Sequence, residues 1–442
     1  MSNRPDELAG KPGSTSIPVS PLYAKIAWRI LPLVMVYYLF AYLDRVNVGF
    51  AKLQMLNDLK FSEAAYGLGA GLFFIGYLVF EVPSNIYMMR VGARKTLCRI
   101  MMLWGAISMA FAFVQTPMQF YIMRILLGAA EAGFFPGIIL YLTFWFPSNT
   151  RAKMTALFYS ALPISGLLGS PVSGWILDHM HAVHGLSGWQ WLFLIEGLPS
   201  LLIGMAIPWI MCDAPRDAKW LSEAEKRQVI DDLEADVLRK NASSGGALTI
   251  AGAFSKPRVW HLVAICVSQA IGVYGIAFWL PTMLKEIGYT TPAQIGLISM
   301  VPFATATIVL NLVCRSSDRR LERRWHTAVP FVLTALALLA STQLGHNPLL
   351  ALIALSIATA GAYATSTMFW TLPSLFFSGI SMAAAIGLLN SVGGLGGFIS
   401  PYAVGLVKNA TGTTTYGVYM IAAVLVVGAL LVLRLPKDIV NR

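Results

Sequence analysis

Twelve runs of mainly apolar residues follow one another through this chain, each near the roughly 20 residues that a helix needs to cross a bilayer. They lie at Ala27–Val48, Ala65–Met88, Leu97–Val114, Phe120–Phe144, Met154–Leu177, Trp191–Met211, Val259–Leu284, Ile295–Val313, Ala328–Leu344, Leu349–Leu372, Met382–Val407 and Gly417–Leu433. Hydrophobic residues make up 57% of the chain and charged residues 12%, where a soluble domain carries about 25% charge. A surface this apolar needs lipid as its solvent. In lipid a spanning segment must close its own backbone hydrogen bonds, and the helix does so within one run. The expected fold is an all-α integral membrane protein with twelve transmembrane helices.

The basic residues then sort by side. With twelve spans both termini share one face, and 26 of the 32 Lys and Arg fall on it. They sit in the N-terminal tail, around Arg90–Arg99, at Arg151 and Lys153, in Arg216–Arg258, in Arg315–Arg324 and in the C-terminal tail. Lys52, Lys60, Lys285 and Lys408 fall on the other face, and Arg45 and Arg124 lie within spans. An excess of Lys and Arg marks cytoplasmic loops, so both termini are expected in the cytoplasm. The net charge of +11 is thereby a matter of membrane topology, and no nucleic-acid partner is expected.

Residues 1–22 are polar and rich in Ser, Pro and Gly, and read as a disordered cytoplasmic tail without the pattern of a cleaved signal peptide. The one long polar stretch, 213–256, divides the spans six and six. It separates an N-terminal bundle at 23–212 from a C-terminal bundle at 257–435, which a short tail at 436–442 follows. Within it, Ser222–Leu238 has the start signal of a short amphipathic helix. The halves echo each other after their second helices, with Arg90-Val-Gly-Ala-Arg-Lys in one and Arg315-Ser-Ser-Asp-Arg-Arg in the other. Two pseudo-symmetric six-helix bundles with a site at mid-membrane are a secondary-transporter architecture.

Other chemistries find no support. Cys98, Cys212, Cys266 and Cys314 lack metal or redox spacing. No Gly-x4-Gly-Lys-Ser/Thr loop for a nucleotide is present. All six histidines fall in loops or at helix ends, away from the depth an intramembrane hydrolase needs. The chain is expected not to be an enzyme and to hold no metal and no cofactor, with the proton as its coupling ion.

Six charges lie inside apolar runs: Asp44, Arg45, Glu81, Arg124, Glu131 and Glu196. A charge at that depth is costly and marks function by default. Arg45 is a fixed cation whose donor fork matches a carboxylate, so it is the expected anion-binding residue. Glu131 stands among Gly and Ala in mid-helix; burial disfavours its charged form and a nearby cation favours it. Glu131 and then Asp44 are the expected proton-coupling residues. Glu81 and Arg124 are expected to gate or brace, Arg124 by snorkelling or by pairing with Asp44, and Glu196 is expected to be structural. The Gly-rich run Gly166–Gly174 suits close helix approach.

The turn after the second span resembles the signature loop of the major facilitator superfamily, with Asn85 and Met89 in place of the usual Gly and Asp, and with Arg90, Gly92, Arg94 and Lys95 kept. Tyr42-Leu-Asp-Arg-Val-Asn-Val-Gly-Phe-Ala, Phe80-Glu-Val-Pro-Ser-Asn, Gly128-Ala-Ala-Glu-Ala-Gly-Phe-Phe-Pro-Gly and Trp191-Leu-Phe-Leu-Ile-Glu-Gly-Leu-Pro are similar to its anion:cation symporter family. The resemblance runs from about Tyr23 to Leu435 and is strongest in the first half. It implies a bacterial inner-membrane symporter, monomeric, that imports a small organic carboxylate with protons: tartrate, phthalate, a sugar acid or an aromatic acid. It implies that Arg45 and Tyr77 contact substrate, with Gln269, Trp370, Thr371 and Asn390 from the second half. Tyr274, Ser366, Thr367 and Ser391 complete the polar and aromatic candidates, and Arg90 and Arg94 are expected to gate or brace. Sodium coupling, anion exchange and an anion channel remain alternatives at this point.

Overall fold

The computed structural model describes residues 20–243, 256–377 and 379–441. Eleven helices among them are long and apolar enough to cross a membrane. They are α1 (Pro21–Leu59), α2 (Glu63–Val91), α3 (Ala93–Phe113), α4 (Pro117–Thr143), α5 (Lys153–His179), α6 (Gly188–Ile210), α7 (Pro257–Glu286), α8 (Pro292–Arg320), α9 (Arg324–Gln343), α10 (Pro348–Phe376) and α12 (Thr415–Leu433). The twelfth, α11, consists of two segments, Gly379–Gly393 and Leu395–Thr411, that meet at Gly394.

The observed helices overrun the apolar runs at their ends because polar caps, not hydropathy, start them. Pro at the first turn and a capping side chain before it recur. Thr116 Oγ1 accepts the Gln119 N–H at 3.3 Å while Gln119 Oε1 accepts the Thr116 N–H at 3.3 Å. Asn347 Oδ1 accepts from the amides of Leu349 and Leu350. Pro suits that position because its missing N–H would have no helical partner there.

The two six-helix halves meet along α5 against α8 and α2 against α11, where glycines let backbones touch. A Cβ added to Gly174 would lie 2.4 Å from the Pro292 carbonyl oxygen, and one on Gly67 would lie 2.5 Å from that of Pro401. Both contacts sit toward the end of the bundle away from the basic clusters. There, too, an ion network joins the halves. Lys52 Nζ lies 2.7 Å from Glu63 Oε2, Lys408 Nζ lies 3.5 Å from Glu63 Oε1, and Lys408 also pairs with Glu286. Lys52 was expected in a loop. Instead α1 continues past Asn47 to Leu59, and Lys52 is 4% exposed, 3.6 Å from the centre of the Trp279 ring and 3.1 Å from Thr282 Oγ1. The bundle is sealed at this end.

On the opposite, basic face, Gly92 turns α2 into α3 at φ +96°. The Arg94 N–H donates to Asp213 Oδ1 at 2.8 Å, and the Arg94 guanidinium stands 3.7 Å from Asp213 Oδ2. A side chain at residue 92 would meet that same carboxylate at 2.9 Å, so glycine is required on two counts. Arg94 thus ties the turn to the end of α6. Arg90 is exposed and forms no ion pair among the described residues. The linker helix, Glu223–Ser243, begins with Ser222 and Glu225 capping each other. It lies against the N-terminal half: Tyr23 donates to Asp232 Oδ2 at 2.8 Å, Lys25 pairs with Glu225 at 2.8 Å, and Ser148 donates to Asp236 Oδ2 at 2.6 Å.

Candidate functional site

The site is built first from α2 and α4. A Cβ on Gly76 would lie 2.2 Å from the Ile125 carbonyl oxygen, and one on Gly128 would lie 1.9 Å from that of Phe73. These glycines allow the two helices to run backbone against backbone, which sets Phe73, Tyr77 and Glu131 on one wall. Glu131 does not sit in mid-helix. It ends the first segment of α4, Pro117–Glu131, and the second begins at Phe134. The break passes through Gly133 at φ +83°, where a Cβ would meet that of Ser84 at 2.6 Å. The chain bends there because only glycine fits between α4 and α2.

Arg45 on α1 reaches this wall. Its guanidinium pairs with the Glu131 carboxylate, and its Nη1 donates to the Tyr274 hydroxyl at 3.0 Å. It lies over the rings of Phe73 and Tyr77, 5.1 and 5.6 Å from their centres. Such contacts are worth about 2 kcal/mol when desolvated. The pair is buried, with Arg45 5% and Glu131 1% exposed, and Arg45 Nε has no hydrogen-bond partner. A cation already held by one carboxylate thus keeps an unused donor beside a cavity.

That cavity, about 100 Å³, lies between the halves. Arg45, Tyr77 and Tyr38 face it from the N-terminal half, and Gln269, Tyr274, Ser366, Trp370 and Asn390 from the other. Asn390 also donates to the Glu81 carboxylate across the gap, with Ser391 Oγ at 3.5 Å from its second oxygen. Glu81 therefore bridges the halves below the cavity. The aromatic part of the lining, Tyr38, Phe73, Phe135 and Tyr159, had no signal in the sequence, because one aromatic in an apolar run looks like any other core residue.

Three expected placements change. Thr371 does not line the cavity: α10 breaks after Phe369, and the Thr371 hydroxyl turns back to the Met368 carbonyl at 2.7 Å. Arg124 neither snorkels nor meets Asp44. It is 1% exposed, and its Nε and Nη2 donate to the carbonyls of Gly69 and Ala70, each at 3.2 Å. Asp44 does not share the Arg45 cluster. Neighbouring helix positions diverge by about 100°, and Asp44 turns into the N-terminal half. Among the described residues no group of three His, Cys, Asp or Glu is placed to hold a metal ion.

A family model of the Major Facilitator Superfamily matches residues 34–401. The chain is 44% identical over 421 residues to the "Putative metabolite transport protein NicT" of Pseudomonas putida, covering 95% of this chain and 96% of that one. It is 43% identical over 414 residues to a "Putative tartrate transporter" of Agrobacterium vitis, covering 94% and 91%. Its fold is similar to a partially occluded, inward-open structure of the xylose transporter XylE from Escherichia coli, with a TM-score of 0.72 at 15% identity over 93% of this chain and 98% of that one. Twelve helices in two bundles around a central charged cavity, with these relatives, are those of a membrane transporter and not of an enzyme: the chain belongs to the Major Facilitator Superfamily.

Proposed function

We propose that the protein imports a small organic carboxylate by proton symport and alternating access, as a member of the anion:cation symporter branch. The observation that carries this reading is the buried Arg45–Glu131 pair on the wall of the inter-half cavity. A proton on Glu131 releases Arg45, and the substrate carboxylate then takes the place of Glu131 on the guanidinium. The exchange keeps one anion per buried cation in each state, which avoids the several kcal/mol of an uncompensated buried charge. Tyr274 holds Arg45 from α7 throughout, so binding at Arg45 is felt by both halves. Tyr77, Gln269, Ser366 and Trp370 supply hydrogen bonds and a ring face for the rest of the substrate.

A cavity of about 100 Å³ suits a compact acid, and the tartrate named for one relative is of that class. With the basic face in the cytoplasm of a bacterial inner membrane, the sealed end is the outer one. The protein works as a monomer. Reconstituted protein tests the reading. An inward proton gradient is expected to drive tartrate, or another acid picked by thermal shift, above equilibrium, and Arg45→Ala is expected to abolish binding. Accumulation that follows a sodium gradient or a counter-anion instead rules out proton symport, and flux that never saturates rules out a carrier.

A further inference from the structure

A second set of buried polar side chains fills the interior of the N-terminal half, away from Arg45. Asp44 accepts hydrogen bonds from Trp104 Nε1 at 2.8 Å, Ser108 Oγ at 3.0 Å and Ser200 Oγ at 2.6 Å. Glu196 lies one turn before Ser200 on α6, so the two share a helix face. It is 2% exposed; its Oε1 accepts from Ser173 Oγ at 2.6 Å, and its Oε2 has no partner. Asn47, one turn after Asp44, is 1% exposed, and neither atom of its amide has a partner.

Asn47 and Ser173 also border a small cavity of about 10 Å³ at the seam between the halves, opposite Ala277, Pro281 and Phe303. That is room for about one water. Ser173, which donates to Glu196 Oε1, thus links that carboxyl to a solvent-sized space at the seam.

Neither acid has a cation. Among the described residues no ion pair involves Asp44 or Glu196: Arg45 is taken by Glu131, and Arg124 by backbone carbonyls. Ser200, which donates to Asp44, stands one turn after Glu196 on the same face of α6 and brings the two acids into one cluster. The other elements around the cluster offer neutral groups, Trp104 and Ser108 from α3 and Ser173 from α5. Two bare carboxylates in one dry cluster repel each other and each lose hydration. A single proton removes both penalties. Glu196 is the one of the two acids that reaches Ser173 at the seam, so the proton is placed there.

We propose that Glu196 is a proton-holding residue of the transport cycle, exchanging protons with Asp44 and, through Asn47, Ser173 and one water, with the seam between the halves. The route is separate from the substrate's. In the transfer an O–H bond of Glu196 breaks and one forms on Asp44, with the charge moving in the opposite sense and no redox change. The inference rests on the proton-symport reading and deepens it.

The test uses full-length protein in proteoliposomes together with infrared spectra of the same samples. The protonated-carboxyl carbonyl band is expected to lose one component in Glu196→Gln and to keep it in Glu196→Asp. Proton-driven accumulation by Glu196→Gln is expected to slow about a hundredfold, the weight of a positioned proton-transfer group, while exchange of substrate across the membrane continues. Ser173→Ala, which removes one hydrogen bond and no charge, is the second variant and is expected to shift the pH profile of uptake. An unchanged band and pH profile in Glu196→Gln overturn the proposal while leaving symport intact. A wild-type protein indifferent to a proton gradient removes the symport reading, and this proposal with it.

Discussion

Replacing Glu131 by Gln keeps the side-chain shape and removes the charge that Arg45 is paired with. Both partners are almost fully buried, and deleting one member of such a pair costs about 3–5 kcal/mol because the other charge stays behind in a dry site. The Tyr274 bond and the two ring contacts of Arg45 do not supply an anion. The ligand-free Glu131→Gln protein is therefore expected to melt below the wild type. A substrate carboxylate supplies the missing anion, and at a hundredfold excess over Kd it returns about 2.7 kcal/mol. The second consequence is in pH. Under the proposed exchange each anion bound at Arg45 requires a proton on Glu131, so in the wild type, above the pH at which Glu131 releases that proton, Kd is expected to rise up to tenfold per pH unit, about 1.4 kcal/mol. In Glu131→Gln that proton is gone and the slope of log Kd against pH falls by one. Titration calorimetry over a pH series, with an acid whose own charge is constant, measures it. A variant with the wild-type slope would refute the exchange mechanism, as would one with an unchanged ligand-free melting temperature.

Other perturbations follow from the same geometry. Tyr274→Phe removes the 3.0 Å bond that holds Arg45 from α7; a bond to a charged group is worth about 1.5–3 kcal/mol, so calorimetry is expected to find affinity at least about tenfold weaker. Gly174→Leu puts atoms where the Pro292 carbonyl and Gly296 now stand, 2.4 and 2.9 Å from the first added carbon. It is expected to abolish transport, keep binding, and widen spin-label distances between the ends of α5 and α8. Lys52→Ala removes the ring contact with Trp279 and the pair with Glu63. A loss of about 2 kcal/mol moves the balance about thirtyfold toward opening at the sealed end, which reaction of a cysteine placed in that seam reports.

The helix count and the special standing of Arg45 and Glu131 were legible because both depend on local facts. A run of 20 apolar residues and a charge inside it are visible without knowing any neighbour. Thr371 was misplaced because the break in α10 falls after Phe369, four residues before Pro373, the residue that marks it. Lys52 looked like a loop residue because its compensation, Glu63, Thr282 and Trp279, comes from other helices and, in two cases, from the other half. Asp44 was expected as a partner of Arg124, and its actual partners, Trp104, Ser108 and Ser200, come from two other helices and leave no trace beside it in sequence. The partners of Arg124 are backbone carbonyls, which every residue carries, so nothing in the sequence could point to them.

Arg124 has one more consequence. Its two bonds to the carbonyls of Gly69 and Ala70, with the backbone contacts at Gly76 and Gly128, weld α2 and α4 into a single piece that carries Tyr77 and Glu131. A shift in either helix would drag the Glu131 carboxyl away from its arginine, so this wall has little freedom to drift. On the facing wall Tyr274 and Asn390 are held by Arg45 and Glu81, while Gln269, Ser366 and Trp370 border the cavity without bonding to Arg45, Glu131 or Glu81. Divergence toward new substrates is then confined to one side of the pocket. Exchanging the residues at 269, 366 and 370 between relatives is expected to carry substrate preference with it and leave the Arg45–Glu131 pair unchanged.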